Sequence, residues 1–535
     1  MSGVVLPPPH VRAWYWYAFA AEVFAACAIA IFLPITLEQM AREVGFEAPD
    51  YTKPCSREPP LPGEKAAVCK AKILGSMYVK SAAVLLQALG IISIGKLADS
   101  TYWRKRLLLL FAAVGSITAS VFLVLPAKAA WLPLIAAFLT LIGNMTYAAS
   151  IVCANAFLPG LAREDTAVVA ARRTLRASVP DLEDETPRSS VDEVRQLLPD
   201  AELEAKAKYD KLLSLTTSRL SSTGVAIGFF SGVSMLALLI VPVSLGKGST
   251  SALELAIGLS GVWWAVFTIP AGWGLPGGHR EPAPEHWLKR GWAQVASMVQ
   301  PSHMKELPNL FKYLLAWVFL SDGFHTTTYT AILYASSTLH MSASKVIVIG
   351  LLVQLAAVGS SIMAPRFQRW LGVTNLGLLI RIVLAAQVLP IYACLGLILP
   401  FGGLRTEAEM YVAAVWFGFL YGPFNSYARA VYAELVPPGH ESSFFSLFSL
   451  TDKSASFIGP MVVGLISDKT GNIRLGFLFL TAMLALPLPV MMRVRMRTGA
   501  AQAQAWSQAR MTRAQAIDEA DELAAAAEDI ERLEG

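Results

Sequence analysis

Charged residues are scarce in this chain. Asp, Glu, Lys and Arg make up 16% of its 535 residues, whereas an ordinary globular domain contains about 25%. Hydrophobic residues make up 55%, and the mean hydropathy is +0.50. This composition excludes an ordinary water-soluble domain and indicates that most of the chain lies within a membrane.

The motifs of soluble enzymes and pumps are also missing. The chain has no Walker-type phosphate loop and no His-Glu-x-x-His, and its seven histidines are scattered. Its five cysteines include no Cys-x-x-Cys pair or Cys/His cluster, so we expect no metal site. An ATP-driven pump is disfavoured because nothing would bind the nucleotide phosphates. No nucleophile and base are visible together, so we expect no enzyme, no cofactor and no nucleic-acid partner.

Hydrophobic stretches are abundant instead. Each has about the 20 residues that a helix needs to cross a bilayer. Repeated halves of six helices are the commonest plan of secondary transporters. We therefore predict an all-α integral membrane protein with twelve transmembrane helices in two six-helix halves. The stretches are residues 13–37, 73–95, 107–125, 131–157, 223–245, 255–273, 313–344, 346–365, 372–399, 410–433, 442–467 and 475–492.

The basic residues indicate how the chain is oriented. They concentrate in the connections after the second, eighth and twelfth stretches, and are few in the connections on the other side. Since cytoplasmic loops carry an excess of Lys and Arg, both termini are predicted to be cytoplasmic, and the first stretch to be a retained helix. The basic residues in question are Arg104, Lys105, Arg106, Arg366, Arg369, Arg493, Arg495 and Arg497.

The segments between the stretches complete the predicted organisation. The connection 161–222 is highly charged, with disorder expected at 179–190 and a surface helix at 191–214. The linker between the halves combines Trp287 and Trp292 with basic residues, which fits a helix on the cytoplasmic leaflet or a solvated linker. The tail is rich in Ala, Gln, Glu and Arg and is expected to be an exposed helix or disordered. The divisions are 1–12, 13–160, 161–222, 223–273, 274–312, 313–492 and 493–535.

A short motif follows the second stretch. It has Gly95, then Asp99, then the basic cluster Arg104, Lys105 and Arg106. This resembles the signature loop of the major facilitator superfamily, although its spacing is about one residue longer and the second glycine is missing. The resemblance implies that Asp99 pairs with basic residues or caps a neighbouring helix, and so helps to close an inner gate. The corresponding loop after the eighth stretch has Gln368 in place of an acid.

The first hydrophobic stretch of each half contains a single acidic residue. Glu22 and Asp322 are each roughly 12–15 Å from the cytoplasmic end at a rise of about 1.5 Å per residue. An ionised side chain at this depth costs roughly 2.5–3.5 kcal/mol, so such residues usually face a cavity or a partner. They are candidates for binding substrate or protons.

Other polar residues share this depth. In the superfamily the first, fourth, seventh and tenth helices line the central cavity. Arg429 is suited to bind a carboxylate through two hydrogen bonds, with Glu22 or Asp322 receiving an ammonium group. His325 is expected to share a proton with Asp322. The alternative is that these charges are static ion pairs between helices. The remaining candidates are Asn144, Asn155, Asn425, Asp452 and Lys453.

Longer motifs identify a narrower resemblance. They cover residues 17–24, 34–39, 142–144, 155–159, 315–323, 434–441, 451–454, 458–460 and 468–474. Together they resemble the fungal autophagy-related vacuolar effluxers (the autophagy-related protein 22 family), a branch of the major facilitator superfamily. The resemblance covers about residues 14–495. It implies a vacuolar membrane permease that returns neutral amino acids, especially leucine, to the cytosol by alternating access.

Cys55 and Cys69 share the first non-cytoplasmic loop. In an oxidising lumen they are expected to form a disulfide that closes a loop of about 15 residues, worth about 3 kcal/mol. Two free thiols are the alternative. The remaining cysteines lie in the predicted helices.

Rival functions stay open at the level of sequence. One is a lipid or drug facilitator on the same scaffold, which would leave Arg429 poorly explained. Another is a non-transporting vacuolar factor, for lysis of autophagic bodies or nutrient sensing, with partners at 161–222 or the tail. Proton coupling of transport through Glu22 or Asp322 is a further hypothesis, while protein partners are not indicated.

Overall fold

The computed structural model accounts for most of the helical part of the chain. It describes residues 7–33, 36–37, 39–40, 46–47, 69–70, 76–125, 131–178, 200–246, 248–280, 282, 286–287, 292–293, 301–339, 341, 343–397, 402–455, 458–470 and 472–512. The two-residue strands Phe46–Glu47 and Cys69–Lys70 pair antiparallel. Cys55 and the side chain of Cys69 lie outside the described residues, so the disulfide remains a prediction.

Each predicted hydrophobic stretch is mainly helical in the residues that the structure describes. Within the described chain, eight helices are long and apolar enough on their own to cross a membrane. The helices of the twelve stretches are α1 (Pro9–Val23, continued by Phe24–Phe32), α2 (Ser76–Asp99), α3 (Thr101–Ser120), α4 (Leu132–Ala156), α5 (Asp200–Leu245), α6 (Thr250–Gly274), α7 (Pro308–Ser337), α8 (Ala343–Leu371), α9 (Asn375–Ala386 and Val388–Leu395), α10 (Glu407–Leu435), α11 (Glu441–Ala455 and Ile458–Thr470) and α12 (Arg474–Ala485 and Pro487–Met492).

The helices pack as two halves joined along two seams. Helices α1, α3, α4 and α6 pack together in the first half, and α8 packs closely on α10 in the second. One seam brings α2 against α11, and the other brings α5 against α8 and α10. Movement of one half against the other must therefore open or close these seams. We call the end of the bundle that contains Asp99 and Arg104 the basic end.

Helix α1 changes its winding next to Glu22. The α-helix ends at Val23, and Phe24–Phe32 continues as a π-helix. A π-helical segment is rare and often marks a functional site, because it re-aims the side chains around it. The change places Glu22 one residue before this junction.

Helix α5 extends far beyond the membrane-spanning length. It runs unbroken from Asp200 to Leu245, so residues 200–214 of the surface helix predicted at 191–214 are helical and continue into the membrane span, whereas residues 191–199 lie outside the described part. The shorter helix Thr166–Ser178 packs against it and buries Val168 and Ala171. The residues between these helices, including 179–190, lie outside the described part.

The segment after α12 folds back on the bundle. Residues 496–512 are helical, and Ala503, Trp506 and Ser507 on this helix are buried. The sequence predicted an exposed helix or disorder here. The difference arises because one face of the helix is covered by the basic end, and composition alone does not reveal such a contact.

Candidate functional site

A small cavity lies between the halves at the depth of Glu22. Its volume is about 60 Å³, which is the space of about two water molecules. Its walls come from α1, α4, α5 and α10, and include Trp14, Glu22, Asn155, Gly224 and Arg429. Thus two of the predicted charges, from different halves, face one cavity.

Arg429 is held in place by the first half. Its Nη1 donates to the side-chain oxygen of Asn155 at 2.8 Å. Its Nε and Nη2 donate to the hydroxyl and carbonyl oxygens of Ser221, at 3.1 and 3.2 Å. The guanidinium also lies 5.4 Å from the centre of the Trp14 ring, within the range of a cation–π contact. These contacts use three of its five N–H groups.

Glu22 lines the same cavity without an ion pair to this arginine. Among the described residues, no Glu22 oxygen comes within 4.0 Å of an Arg429 nitrogen. The side chain passes close to α5, where a Cβ added to Gly228 would lie 3.2 Å from Glu22 Cβ. A glycine at this position therefore leaves room for the carboxylate to reach the cavity.

Asp322 has a different environment. It is 1% exposed, and its carboxylate accepts from the Thr326 hydroxyl at 3.1 Å and from the Gly459 N–H at 2.9 Å. Gly459 lies in the first turn of the second part of α11. Asp322 thus caps a helix N-terminus, which favours a negative charge, and it is not among the residues that line the Arg429 cavity.

A second polar cluster surrounds Asp452. Its carboxylate accepts from the Ser321 hydroxyl, and its Oδ1 lies 3.8 Å from His325 Nε2. His325 therefore lies near Asp452, and the proton sharing with Asp322 that the sequence predicts stays a prediction. The side chain of Lys453 lies outside the described residues.

The two other candidate asparagines make local contacts. Asn144 donates to the Thr140 carbonyl at 2.8 Å and accepts from Gln87 at 3.3 Å. Asn425 donates to the Tyr421 carbonyl at 2.9 Å. Neither lines the cavity with Arg429, and their substrate role stays a prediction.

Asp99 joins the two halves at the basic end. Its carboxylate accepts from the Ser443 backbone N–H at 3.0 Å and from the Ser443 hydroxyl. Ser443 lies in the first turn of α11. Of the two contacts expected for Asp99, the structure has the cap of a neighbouring helix.

Arg104 supports this contact from the same loop. It is 7% exposed and donates to the carbonyls of Ala98, Asp99 and Ala156, at 3.0, 2.9 and 3.1 Å. It also forms an ion pair of 3.4 Å with Glu441 across the seam. The Glu441 carboxylate pairs with Arg163 at 3.3 Å as well. Two cations of the first half therefore hold one acid of the second.

Lys105 and Arg106, the other two basic residues of the motif, make different contacts. Lys105 donates to the Leu275 carbonyl at 2.7 Å, which fastens the end of α6. Arg106 stacks over the Tyr102 ring at 4.2 Å. Both contacts lie within the first half. Among the described contacts of this basic cluster, the one between the halves belongs to Arg104, and the gating role expected of all three residues stays a prediction.

The second seam is closed by neutral amides and one acid. Gln368 accepts from Ser218 at 3.3 Å and from Tyr427 at 2.8 Å, and donates to Asn375 at 2.6 Å. Asn375 in turn donates to the Ser214 carbonyl at 3.0 Å. Glu434 accepts from both Ser214 and Asn375. Gln368 therefore occupies the place in the second half that Asp99 has in the first.

Several of these residues were missed from sequence. Trp14, Ser221, Glu434 and Glu441 had no motif of their own that distinguished them as contacts. A usable signal is the run 434–441, which contains both acids and is among the motifs of the family resemblance. Hydrogen bonds between the halves, in the described chain, lie at the basic end and around Arg429. The seams are therefore closed at that end.

Comparison with known proteins gives a consistent family. Residues 8–504 match the family described as "Vacuole effluxer Atg22 like". Autophagy-related protein 22 of Cryptococcus neoformans var. neoformans serotype D is 56% identical over 537 aligned residues, covering 90% of this chain and 94% of that protein. Autophagy-related protein 22-1 of Penicillium rubens is 33% identical, with coverage of 88% and 87%.

Solved structures support the fold alone. The proton:xylose symporter XylE, of the major facilitator superfamily, has a TM-score of 0.59 at 9% identity, covering 90% of this chain and 95% of that one. The human organic anion transporter MFSD10 has a TM-score of 0.58 at 11% identity, covering 91% and 100%. The twelve helices thus have the major facilitator arrangement that the sequence predicted.

Proposed function

Because the chain belongs to the Atg22-like family of vacuole effluxers, we propose that it exports neutral amino acids, leucine among them, from the vacuole lumen to the cytosol by alternating access. Family and fold are those of a multi-pass vacuolar membrane transporter, which is not a class of enzyme. The observation that supports this substrate class is the presence of Glu22 and Arg429 in one cavity.

The basic end is the cytoplasmic one in this proposal. The excess of Lys and Arg in the connections at that end supports this orientation. It places both termini in the cytosol and the loop with Cys55 and Cys69 in the lumen. Export then requires the seams at the basic end to open after substrate has entered from the other side.

An amino acid has opposite charges on one carbon atom, and the two charged residues match this pattern. The Arg429 guanidinium has N–H groups beyond those used by Asn155 and Ser221, and it would receive the carboxylate. The Glu22 carboxylate would receive the ammonium group. Trp14 beneath Arg429 excludes water from one side, which strengthens both interactions.

The size of the cavity fits a state between substrate cycles. About 60 Å³ does not admit a leucine, so binding requires the halves to separate. Gly224 and Gly228 of α5 border the space, and even a Cβ at Gly224 would lie 2.6 Å from the Trp14 ring. A small rotation of α5 would therefore change the cavity directly.

Of the two candidate acids, Glu22 is the better site for a coupling proton. It faces the cavity, whereas the Asp322 carboxylate is engaged by Thr326 and the Gly459 N–H. A proton leaving the acidic lumen would bind the Glu22 carboxylate; the protonated carboxyl group still accepts a hydrogen bond from the ammonium group, and it would lose its proton to the cytosol after the halves have opened there. We expect Glu22→Gln to remove the pH dependence of efflux and Asp322→Asn to keep it.

The test is release of labelled leucine from proteoliposomes with an acidic interior that contain the purified protein. Arg429→Lys keeps the charge but loses the two-pronged contact, and Arg429→Ala loses both. Arg381→Ala, an exposed arginine of the same half, is the matched control. We expect release by the wild type and the control, and at least about a tenfold loss in both Arg429 variants, since a lost charged hydrogen bond costs about 1.5–3 kcal/mol.

Three results would contradict the proposal. Equal release by the wild type and Arg429→Ala would remove Arg429 from the substrate site. No release by folded wild-type protein, shown by a cooperative thermal transition, would favour the non-transporting factor. Release of a lipid or drug-like probe instead of leucine would favour the facilitator alternative.

A further inference from the structure

The helix formed by residues 496–512, which we call the tail helix, lies across the basic end. Ala503, Trp506 and Ser507 are 2%, 6% and 3% exposed. Their spacing places them on one face of a helix, while Gln504, Ala505 and Gln508 to either side are exposed. The tail helix is therefore docked through one face.

Trp506 is the centre of this contact. Its ring lies edge-on to His440, with 5.1 Å between centroids, and to Phe444, at 5.7 Å. On the other side its Nε1 donates to His303 Nδ1 at 3.4 Å. Arg510, one turn later, stacks over the indole at 4.2 Å and reaches His303 Nε2 at 3.1 Å. The Trp506 indole thus connects His303, in the linker between the halves, with His440 and Phe444 at the start of α11.

Three hydrogen bonds fix the register of the tail helix. The Ser507 hydroxyl donates to the Pro438 carbonyl at 2.7 Å. Asn309, at the start of α7, donates to Gln502 at 3.0 Å and accepts from the Arg495 N–H at 3.0 Å. The Ser507 bond holds the tail helix to residues 437–444, which connect α10 to α11 and form its first turn and which we call the 437–444 connection, whereas the two Asn309 bonds hold the start of the tail segment to α7.

The 437–444 connection is also the part of the second half that contacts Asp99 and Arg104 of the first. His440 Nδ1 lies 3.9 Å from Asp99 Oδ2, and the Ser443 N–H donates to the same carboxylate group. Glu441, between them, pairs with Arg104. One side of this short segment therefore contacts the tail helix and the other closes the seam between α2 and α11.

We propose that the tail helix is a latch that holds the basic end of the transporter closed. Opening the seam separates Asp99 and Arg104 from the 437–444 connection, which must then move with the second half. With Trp506 and Ser507 docked, the connection keeps the position that Asp99 requires. The docked tail helix thereby favours the closed state, because a 437–444 connection that is free to take other positions would meet Asp99 and Arg104 less often. This role is independent of which solute is carried.

Distances across the basic end test the latch directly. Spin labels at Lys211→Cys and Arg369→Cys, both exposed and in different halves, report separation of the halves in the full-length protein in nanodiscs. We expect Trp506→Ala to raise the ratio of long to short distances about fivefold or more, the range of typical coupling between sites. Met511→Ala, an exposed residue of the same helix, is the matched control and should leave the distribution unchanged.

A second variant allows the test to be made if Trp506→Ala does not fold. If Trp506→Ala lacks a cooperative thermal transition, the double variant Gln502→Ala/Ser507→Ala is measured instead, because it removes two of the tail contacts without a cavity. A shift in the same direction supports the latch. A distribution equal to that of the wild type in a folded variant overturns the proposal, and so does a shift of equal size in Met511→Ala.

Discussion

The carboxylate of Asp99 and the backbone N–H of Ser443 are joined across the two halves, with 3.0 Å between oxygen and nitrogen. Asp99 ends α2, and Ser443 lies in the first turn of α11. A helix N-terminus has partial positive charge and unsatisfied N–H groups. A carboxylate from the opposite half satisfies both needs, but only while the seam is closed. The contact therefore belongs to one state of the transport cycle.

We expect Asp99→Asn to open the basic end more often. The amide keeps the shape of the side chain but loses its charge, and a charged hydrogen bond exceeds a neutral one by about 1 kcal/mol. This difference corresponds to about a fivefold rise in the ratio of open to closed protein, measured with the spin-label pair at 211 and 369. Glu204→Gln removes a carboxylate from an exposed site and should have no effect. An unchanged ratio in Asp99→Asn would exclude this acid from gating.

The buried ion pair at the same seam should contribute more to the free energy of unfolding than an exposed ion pair does. Arg104 and Glu441 are 8% and 7% exposed in their side chains, and removing one partner of such a pair typically costs about 3–5 kcal/mol. We expect Glu441→Ala to lower the free energy of unfolding by about this amount in detergent. Glu407→Ala, from the exposed pair with Lys345, should cost about 0–1 kcal/mol. Equal effects of the two substitutions would contradict the buried role of Glu441.

Sequence predicted the helices well because twenty apolar residues in a membrane have few other choices. It also found Glu22 and Arg429, since charge at that depth is costly and therefore noticeable. It did not find that Asp322 faces a helix N-terminus. That depends on where Gly459 lies after α7 and α11 have packed, and neither residue signals the other in the sequence.

The tail helix illustrates the same limit. Trp506 is a single large aromatic in a segment rich in Ala, Gln and Arg, and its isolation was the available signal. The surface that Trp506 contacts could not be inferred from the sequence, because two of its residues, His303 and His440, are 137 residues apart. Long-range contacts of this kind are fixed by the fold and not by local propensity.

Gly459 should be intolerant of any side chain. A Cβ at this position would collide with the Thr326 hydroxyl oxygen and lie 2.8 Å from Asp322 Oδ1. Since the surroundings are buried, we expect Gly459→Ala to lower the free energy of unfolding by about 1–3 kcal/mol, the usual cost of overpacking. Gly464→Ala is the matched control in the same helix, because its Cβ would meet nothing within 4 Å. It should be neutral or stabilising by about 0.5–1 kcal/mol, and thermal unfolding of both variants checks this.

Stability at low pH should depend on Glu409, which precedes the predicted membrane span 410–433 at the end of the bundle opposite the basic end. Desolvation by itself raises the pKa of Glu409, but hydrogen bonds from Thr406, Tyr392 and the N–H groups of Arg405 and Leu404 outweigh it and leave the pKa below its ordinary value of 4.5. A carboxyl group whose pKa is lower in the folded state stabilises the protein above its unfolded pKa. This contribution is lost as the pH falls through the folded pKa.

The expected result is therefore a pH-dependent difference between wild type and Glu409→Gln. The wild type should be the more stable of the two near neutral pH, and the difference should shrink as the pH falls below about 4.5, the ordinary pKa of the group. Because the side chain is only partly buried, the effect is small and is best measured as a shift in thermal midpoint across a pH series. Glu204→Gln, exposed at the other end of the protein, should give no such trend. A difference that grows with acidity would mean that the Glu409 pKa is raised in the folded state, and would contradict the hydrogen bonding described for it.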